Sequence, residues 1–171
     1  MACLSQPDEL DRLVTQHLAS ALRLATRLTG SLDAAEEVLQ EALVRVARGW
    51  KSFRKEAEFR TWLFRIVINV FRDRLASRRP VNVALFNDRA DCRSQDPAMA
   101  AQTGELGELI AARVSALPAR QREVMVLTAF EGFTHQQTAQ LLGITEANVY
   151  STLAVARDRL RKELAPYFVE H

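Results

Sequence analysis

Residues 134–162 read THQQTAQLLGITEANVYSTLAVARDRLRK, two helical stretches joined by a tight turn, the second with a basic end. Thr134 is placed to N-cap the first stretch, its hydroxyl accepting a free backbone N–H of the first turn. Ala139, Leu141 and Leu142 supply the buried side, and Gly143 sits where a left-handed residue is needed to end the helix. Ile144 can plug the gap between the helices. Thr145 can cap the second helix, whose inner face is Val149 and Leu153 at i, i+4. The spacing of Ala139, Gly143 and Val149 is that of a helix-turn-helix: a small residue where helices touch, a turn glycine, and an apolar anchor on the recognition helix. An ordinary helical hairpin satisfies the same spacing, because Ala-x-x-x-Gly is common.

Charge along the chain sharpens the reading. The net of +2 over 171 residues hides strong segregation. Residues 30–44 carry Asp33, Glu36, Glu37 and Glu41 and no Lys or Arg, a net of −4. Residues 45–79 carry eleven Lys or Arg against three acids, a net of +8. Such a stretch suits a phosphate backbone through counterion release, although most charge runs are simply solvated helix faces. Here the basic run is interleaved with Trp50, Phe53, Phe59, Trp62, Phe64 and Phe71. Aromatics among arginines can stack on unpaired bases. Most of these should nonetheless be core, because Phe59, Leu63, Ile66 and Val70 recur at helical spacing.

Helical periods fill most of the chain. Leu10, Leu13, Val14, Leu18, Ala21, Leu22, Ala25 and Leu28 form one stripe, ended by Gly30. Asp33 is predicted to open the next helix, with Glu36 as capping-box partner and Glu37 favoured by the helix dipole. Its buried side is Val38, Leu39, Ala42, Leu43 and Val46, and Gly49 is predicted to break it. Residues 50–57 read as a loop or short helix. A third long helix is predicted from about Glu58 to Arg78, with Pro80 as a stop. Residues 80–105 have no sustained amphipathic period and are predicted to be a flexible linker. A helical pattern resumes at Leu106, and another helix follows Leu117-Pro118 and ends near Gly132. Strand signals are weak. The predicted class is all-α, with two small helical domains, residues 1–79 and 106–171, joined by that linker.

Both halves resemble one family. The stretch DAAEEVLQEALVRVARGWKSFRKEAEFRTWLFRIVINVFRDRLASRR is similar to the polymerase-binding and promoter-melting domain of sigma-70 family sigma factors. The stretch LPARQREVMVLTAFEGFTHQQTAQLLGITEANVYSTLAVARDRLRKEL resembles the promoter-reading helix-turn-helix domain of the same family. With these two domains in this order, the chain looks like an extracytoplasmic-function sigma factor. The resemblance implies that Asp33, Glu36, Glu37, Gln40 and Glu41 dock on the clamp helices of the largest subunit of core RNA polymerase, with Gln40 and Glu41 expected at the surface. It implies that Lys51, Ser52, Phe53, Arg54 and Lys55 form the loop that captures a base extruded from the minus-ten element. Arg65, Asn69 and Arg72, at i, i+4, i+7, would hold phosphates or base edges, and Arg78 and Arg79 would extend the track. Trp62 is expected to be core rather than a melting wedge.

At the minus-thirty-five element the resemblance assigns Thr134, Glu146, Asn148, Tyr150, Ser151, Thr152 and Arg157, with Asn148 and Thr152 on one face and Tyr150–Ser151 beside them. The chain departs from the family here: many members carry a Lys and an Arg where it has Tyr150 and Thr152. Residues 117–171 have no net charge, six basic against six acidic. A bidentate Asn–adenine contact would suit this helix.

The implied partners are core RNA polymerase and promoter DNA. Family members are commonly held inactive by an anti-sigma factor, often membrane-bound. No catalytic constellation, nucleotide loop or zinc spacing is evident, so no enzyme, cofactor, metal or small-molecule substrate is predicted. Cys3 and Cys92 have no Cys or His neighbour at metal spacing. No apolar stretch approaches 18 residues and no secretory signal is evident, so membrane insertion is not expected and the predicted location is the cytoplasm. Two other readings remain: a helix-turn-helix regulator that binds duplex DNA without polymerase, and an all-helical adaptor that binds no DNA.

Overall fold

The computed structural model describes residues 6–53, 58–77 and 97–168. The described secondary structure is all helical. Helix α1 (Gln6–Thr29) ends at Gly30, whose φ of 77° is left-handed and whose missing Cβ would stand 2.9 Å from the Cβ of Ser115. Helix α2 (Leu32–Gly49) starts two residues earlier than the acid pattern predicts. Ser31, extended at φ −145° and ψ 138°, is the N-cap, and its Oγ accepts from the Ala34 N–H at 3.5 Å. Asp33 therefore lies inside the first turn, where the helix dipole still favours it. The chain does not break at Gly49 but tightens into a 3-10 turn, Trp50–Ser52. Helix α3 (Phe59–Ser77) lies within a residue of its predicted bounds.

Of the predicted linker, residues 80–96 lie outside the described residues. From Pro97 the chain is already helical: α4 (Pro97–Ser115) begins nine residues before the predicted restart and is interrupted at Gly104. Pro is well suited to a first helical position, and an alanine-rich stretch follows it. Helix α5 (Ala119–Met125) widens into a π-helical turn, Val126–Phe130, that closes with Glu131 N–H donating to the Val126 carbonyl at 3.0 Å.

Helices α6 (His135–Leu142) and α7 (Glu146–Phe168) form the predicted helix-turn-helix. Thr134 and Gln137 make a reciprocal capping box, Gly143 is left-handed at φ 67° and ψ 41°, and the Thr145 Oγ1 accepts from the Asn148 N–H at 3.2 Å. Each of these bonds is local, which is why the residues announce them.

Helices α1, α2 and α3 pack as one bundle, and α5, α6 and α7 as a second. The predicted stripes face the core, with Leu10, Leu13, Val14, Leu22, Leu43 and Ile66 half-buried at its edge; in α1, Leu18 is 39% exposed while Leu24, outside the predicted stripe, is fully buried. The C-terminal half of α1 is covered by the second bundle: Arg122 of α5 donates to the Leu28 carbonyl, and Ser115 abuts Gly30. The two units thus share one continuous buried cluster, with Phe64 of α3 against Phe133 at 5.8 Å between ring centroids.

Candidate functional site

Three surfaces carry the predicted functional residues. On α2, Asp33, Glu36, Glu37 and Gln40 are exposed, but Glu41 is half-buried, contrary to its predicted place at the surface. Arg74 of α3 donates to both Glu37 and Glu41, the latter at 3.3 Å. Arg45 bonds Glu41 at 2.6 Å and Asp73 at 2.8 Å. The Arg45 hydrogen bond, with help from Arg74, holds the Glu41 carboxyl below the usual glutamate range. Glu37 and Glu41 thus tie α2 to α3. Asp33, Glu36 and Gln40 have no such tie among the described residues, and Val44, 48% exposed and four residues past Gln40, adds an apolar spot that charge reasoning missed.

The second surface is α3 with the turn before it. Lys51 and Ser52 are exposed. Phe53 instead turns inward, stacked on Trp50 at 5.5 Å and against Trp62 at 4.7 Å and Phe59 at 5.9 Å. Trp62 is half-buried in the same cluster, in keeping with a core role. Arg54, Lys55, Arg78 and Arg79 lie outside the described residues. Asn69 is exposed. Its two basic neighbours are engaged by the second unit. Arg65 donates to the Gln140 carbonyl of α6 at 3.3 Å. Arg72 grips Glu123 of α5 with both arms, Nε to Oε1 at 2.8 Å and Nη2 to Oε2 at 2.7 Å. That bidentate bond raises the Arg72 pKa above the ordinary arginine value.

Glu123 is only 2% exposed and also receives Arg120 at 3.3 Å. A second buried carboxylate works in parallel. Glu131 takes Arg27 of α1 at 2.9 Å and Arg60 of α3 at 3.0 Å, and Arg60 also lies over the Phe64 and Phe133 rings at 4.8 Å each. Burial lowers the Arg27 pKa, and the Glu131 charge opposes that shift. Sequence reasoning did not assign this seam. Its signal was Glu123 itself, an acid set directly before the apolar run Val124–Leu127, which can be buried only with a cationic partner.

The third surface is the helix-turn-helix. Thr134 is exposed, with its hydroxyl committed to the cap. Glu146, Asn148, Tyr150, Ser151 and Arg157 are exposed and Thr152 is half-buried. They do not form one face. A helix turns about 100° per residue, so Asn148 and Tyr150 point about 160° apart. Ser151, Thr152 and Val155 line a shallow groove with Pro118, Arg120 and Gln121 of α5. Tyr150 lies on the other flank, against His135 of α6.

Among the described residues no group of His, Cys, Asp or Glu could hold a metal ion, and no helix is long and apolar enough to cross a membrane.

The same two regions match known family models: Sigma-70 region 2 over residues 13–81 and Sigma-70, region 4 over residues 107–160. The chain is 31% identical over 163 residues to the ECF RNA polymerase sigma factor SigE of Mycolicibacterium smegmatis, covering 94% of this chain and 63% of that relative's length. It is 32% identical over 156 residues to the ECF RNA polymerase sigma factor SigM of Mycobacterium tuberculosis, covering 90% of this chain and 76% of the relative. In fold it is similar to the sigma factor RpoE of Bartonella quintana, solved in complex with the anti-sigma factor NepR, with a TM-score of 0.70 at 23% identity over 92% of this chain and 97% of that one. A three-helix unit with an acidic outer face and a basic last helix, followed by a capped helix-turn-helix, has the order of regions 2 and 4, and the chain belongs to the extracytoplasmic-function RNA polymerase sigma factors of the sigma-70 family.

Proposed function

We propose that this chain binds core RNA polymerase and directs promoter-specific transcription initiation, strand opening included. It would act in the cytoplasm, where polymerase works, and would leave the chemistry to polymerase. Residues 1–79 would serve docking and the minus-ten element, and residues 106–171 the minus-thirty-five element. The observation that carries this reading is a division of labour on the surface. Asp33, Glu36 and Gln40 stand clear of the α2–α3 ion pairs, a polar face for a basic partner helix, while the helix-turn-helix presents its own polar residues from a separate unit. A regulator acting on duplex DNA alone would leave that first face and the basic helix α3 without a task.

The closed packing sets a condition. Arg72 cannot offer its guanidinium edge to a phosphate while Glu123 holds both arms, and Arg65 spends one N–H on Gln140. On this reading α5 and α6 must leave α3 before the minus-ten strand is engaged, and an anti-sigma partner would act by favouring the closed form. Transcription by core polymerase with and without the full chain, on a library randomised at both elements, tests the proposal. Recovery of a defined motif pair only when the chain is present is the expected result. Transcription that ignores the chain, or duplex binding that is the same without polymerase, overturns it.

A further inference from the structure

Two aromatic rings from different helices meet on one flank of the recognition helix. His135 is the first residue of α6, and Tyr150 lies on the second turn of α7. Their ring centroids are 4.1 Å apart and their planes meet at 64°, an edge-to-face pair. Tyr150 is 58% exposed, so the contact fixes one side of the phenol and leaves the rest in solvent. A tyrosine so exposed would otherwise sample several staggered rotamers.

His135 is itself held in place. Immediately before it, Thr134 Oγ1 accepts the Gln137 N–H at 3.1 Å while Gln137 Oε1 accepts the Thr134 N–H at 2.9 Å. Left-handed Gly143 and the Thr145 cap then fix where α7 leaves α6, and so where Tyr150 stands. The series of constraints runs from a capping box to an imidazole to a side chain on the recognition helix.

We propose that His135 is a positioning residue for base recognition, orienting the Tyr150 ring to meet the C5 methyl of a thymine in the minus-thirty-five element. The inference rests on the promoter-reading role given above to α7. The major-groove edge of a thymine presents a methyl, the apolar group that an aromatic ring can contact. A lysine or arginine at position 150 would seek phosphate or guanine instead, and Tyr150 can do neither in that way. The pairing also gives the α6 flank a reading element separate from Asn148, which faces the other way.

The test is selection of minus-thirty-five sequences by holoenzyme assembled from core polymerase and full-length chain, wild type or variant, followed by binding to one selected promoter carrying deoxyuridine for the thymine. Wild type is expected to select thymine at one position and to lose several-fold affinity with deoxyuridine. Y150A should lose preference at that position alone and be indifferent to the methyl. H135A should relax the same position, H135F should restore it by keeping an aromatic edge against Tyr150, and H135A with Y150A should be no worse than Y150A. Uniform weakening of all promoters by H135A with the motif intact would overturn the inference, as would a deoxyuridine effect that survives in Y150A. A wild-type holoenzyme that selects no minus-thirty-five motif overturns the promoter-reading role and the pair with it.

Discussion

Asn148 and Arg157 stand on opposite flanks of α7, both exposed, and this separates two ways of contributing to DNA affinity. Asn148 lies near the helix start, where recognition helices reach base edges. Asn148→Ala should cost roughly 1–3 kcal/mol at one base pair and relax preference there. Arg157→Ala should instead weaken all promoters alike and lower the salt slope by about one, as loss of a phosphate contact does. Motif selection and salt titration of holoenzyme binding read the two effects apart. A changed motif in Arg157→Ala with an unchanged one in Asn148→Ala would reverse the docking orientation. Gly143 makes a second residue-scale case. Its φ of 67° is costly for any side chain, so Gly143→Ala should destabilise the helix-turn-helix by about 1 kcal/mol, visible as a lower melting temperature.

Among the elements, α2 divides its acids between two tasks. Glu37 and Glu41 bind α3 through Arg74 and Arg45, leaving Asp33, Glu36 and Gln40 as the docking face. Glu36→Lys with Gln40→Ala should therefore reduce core polymerase affinity several-fold and leave the melting temperature unchanged. Equal affinity in a titration against core enzyme would move docking elsewhere. Glu41→Lys should instead loosen α2 from α3, because it sets a third cation beside Arg45 and Arg74. The pH dependence has a definite sign. The folded Glu41 carboxyl is held below its ordinary value of 4.5, so its stabilising effect is fully present above that pH and lost as pH falls through the lower folded value. Acid unfolding of Glu41→Gln should be shallower in that window than that of wild type. Parallel acid-unfolding curves would show that the pair contributes nothing to α2–α3 packing.

In the whole molecule, two buried carboxylates, Glu123 and Glu131, hold four arginines, three of them from the first unit. Removing one partner of a buried pair costs several kcal/mol, and a discount applies here because Arg72 is one-third exposed. Glu123→Gln should weaken the closed packing by about 2 kcal/mol. The expected readout is a larger radius of gyration in solution and tighter binding of a single-stranded minus-ten oligonucleotide. A variant with wild-type dimensions and wild-type oligonucleotide affinity would show that the seam does not control access to α3.

What the sequence by itself determined were the features made by near neighbours. Thr134, Gly143 and Thr145 cap and turn the helix-turn-helix through bonds spanning five residues or fewer, and the stripes of α2 and α3 follow from a 3.6-residue period. Even there, competition among adjacent caps was hidden: Ser31, extended directly after left-handed Gly30, opens α2 in place of Asp33. Only the tertiary structure decided what lies across the seam. Leu24 is buried and Leu18 exposed, the reverse of what the stripe predicts, and α5 reaches the C-terminal half of α1 at the Leu28 carbonyl. Arg65 and Arg72 have the spacing of a phosphate-binding face, yet Gln140 and Glu123 occupy them. Glu41 and Glu36 are both acids on one helix; Arg45, four residues on, already pairs with Glu41, and the approach of Arg74 from α3 ties that pair to the neighbouring helix. Periodicity shows which side of a helix is polar; which polar groups stay free depends on charges tens of residues away, brought together when the helices pack.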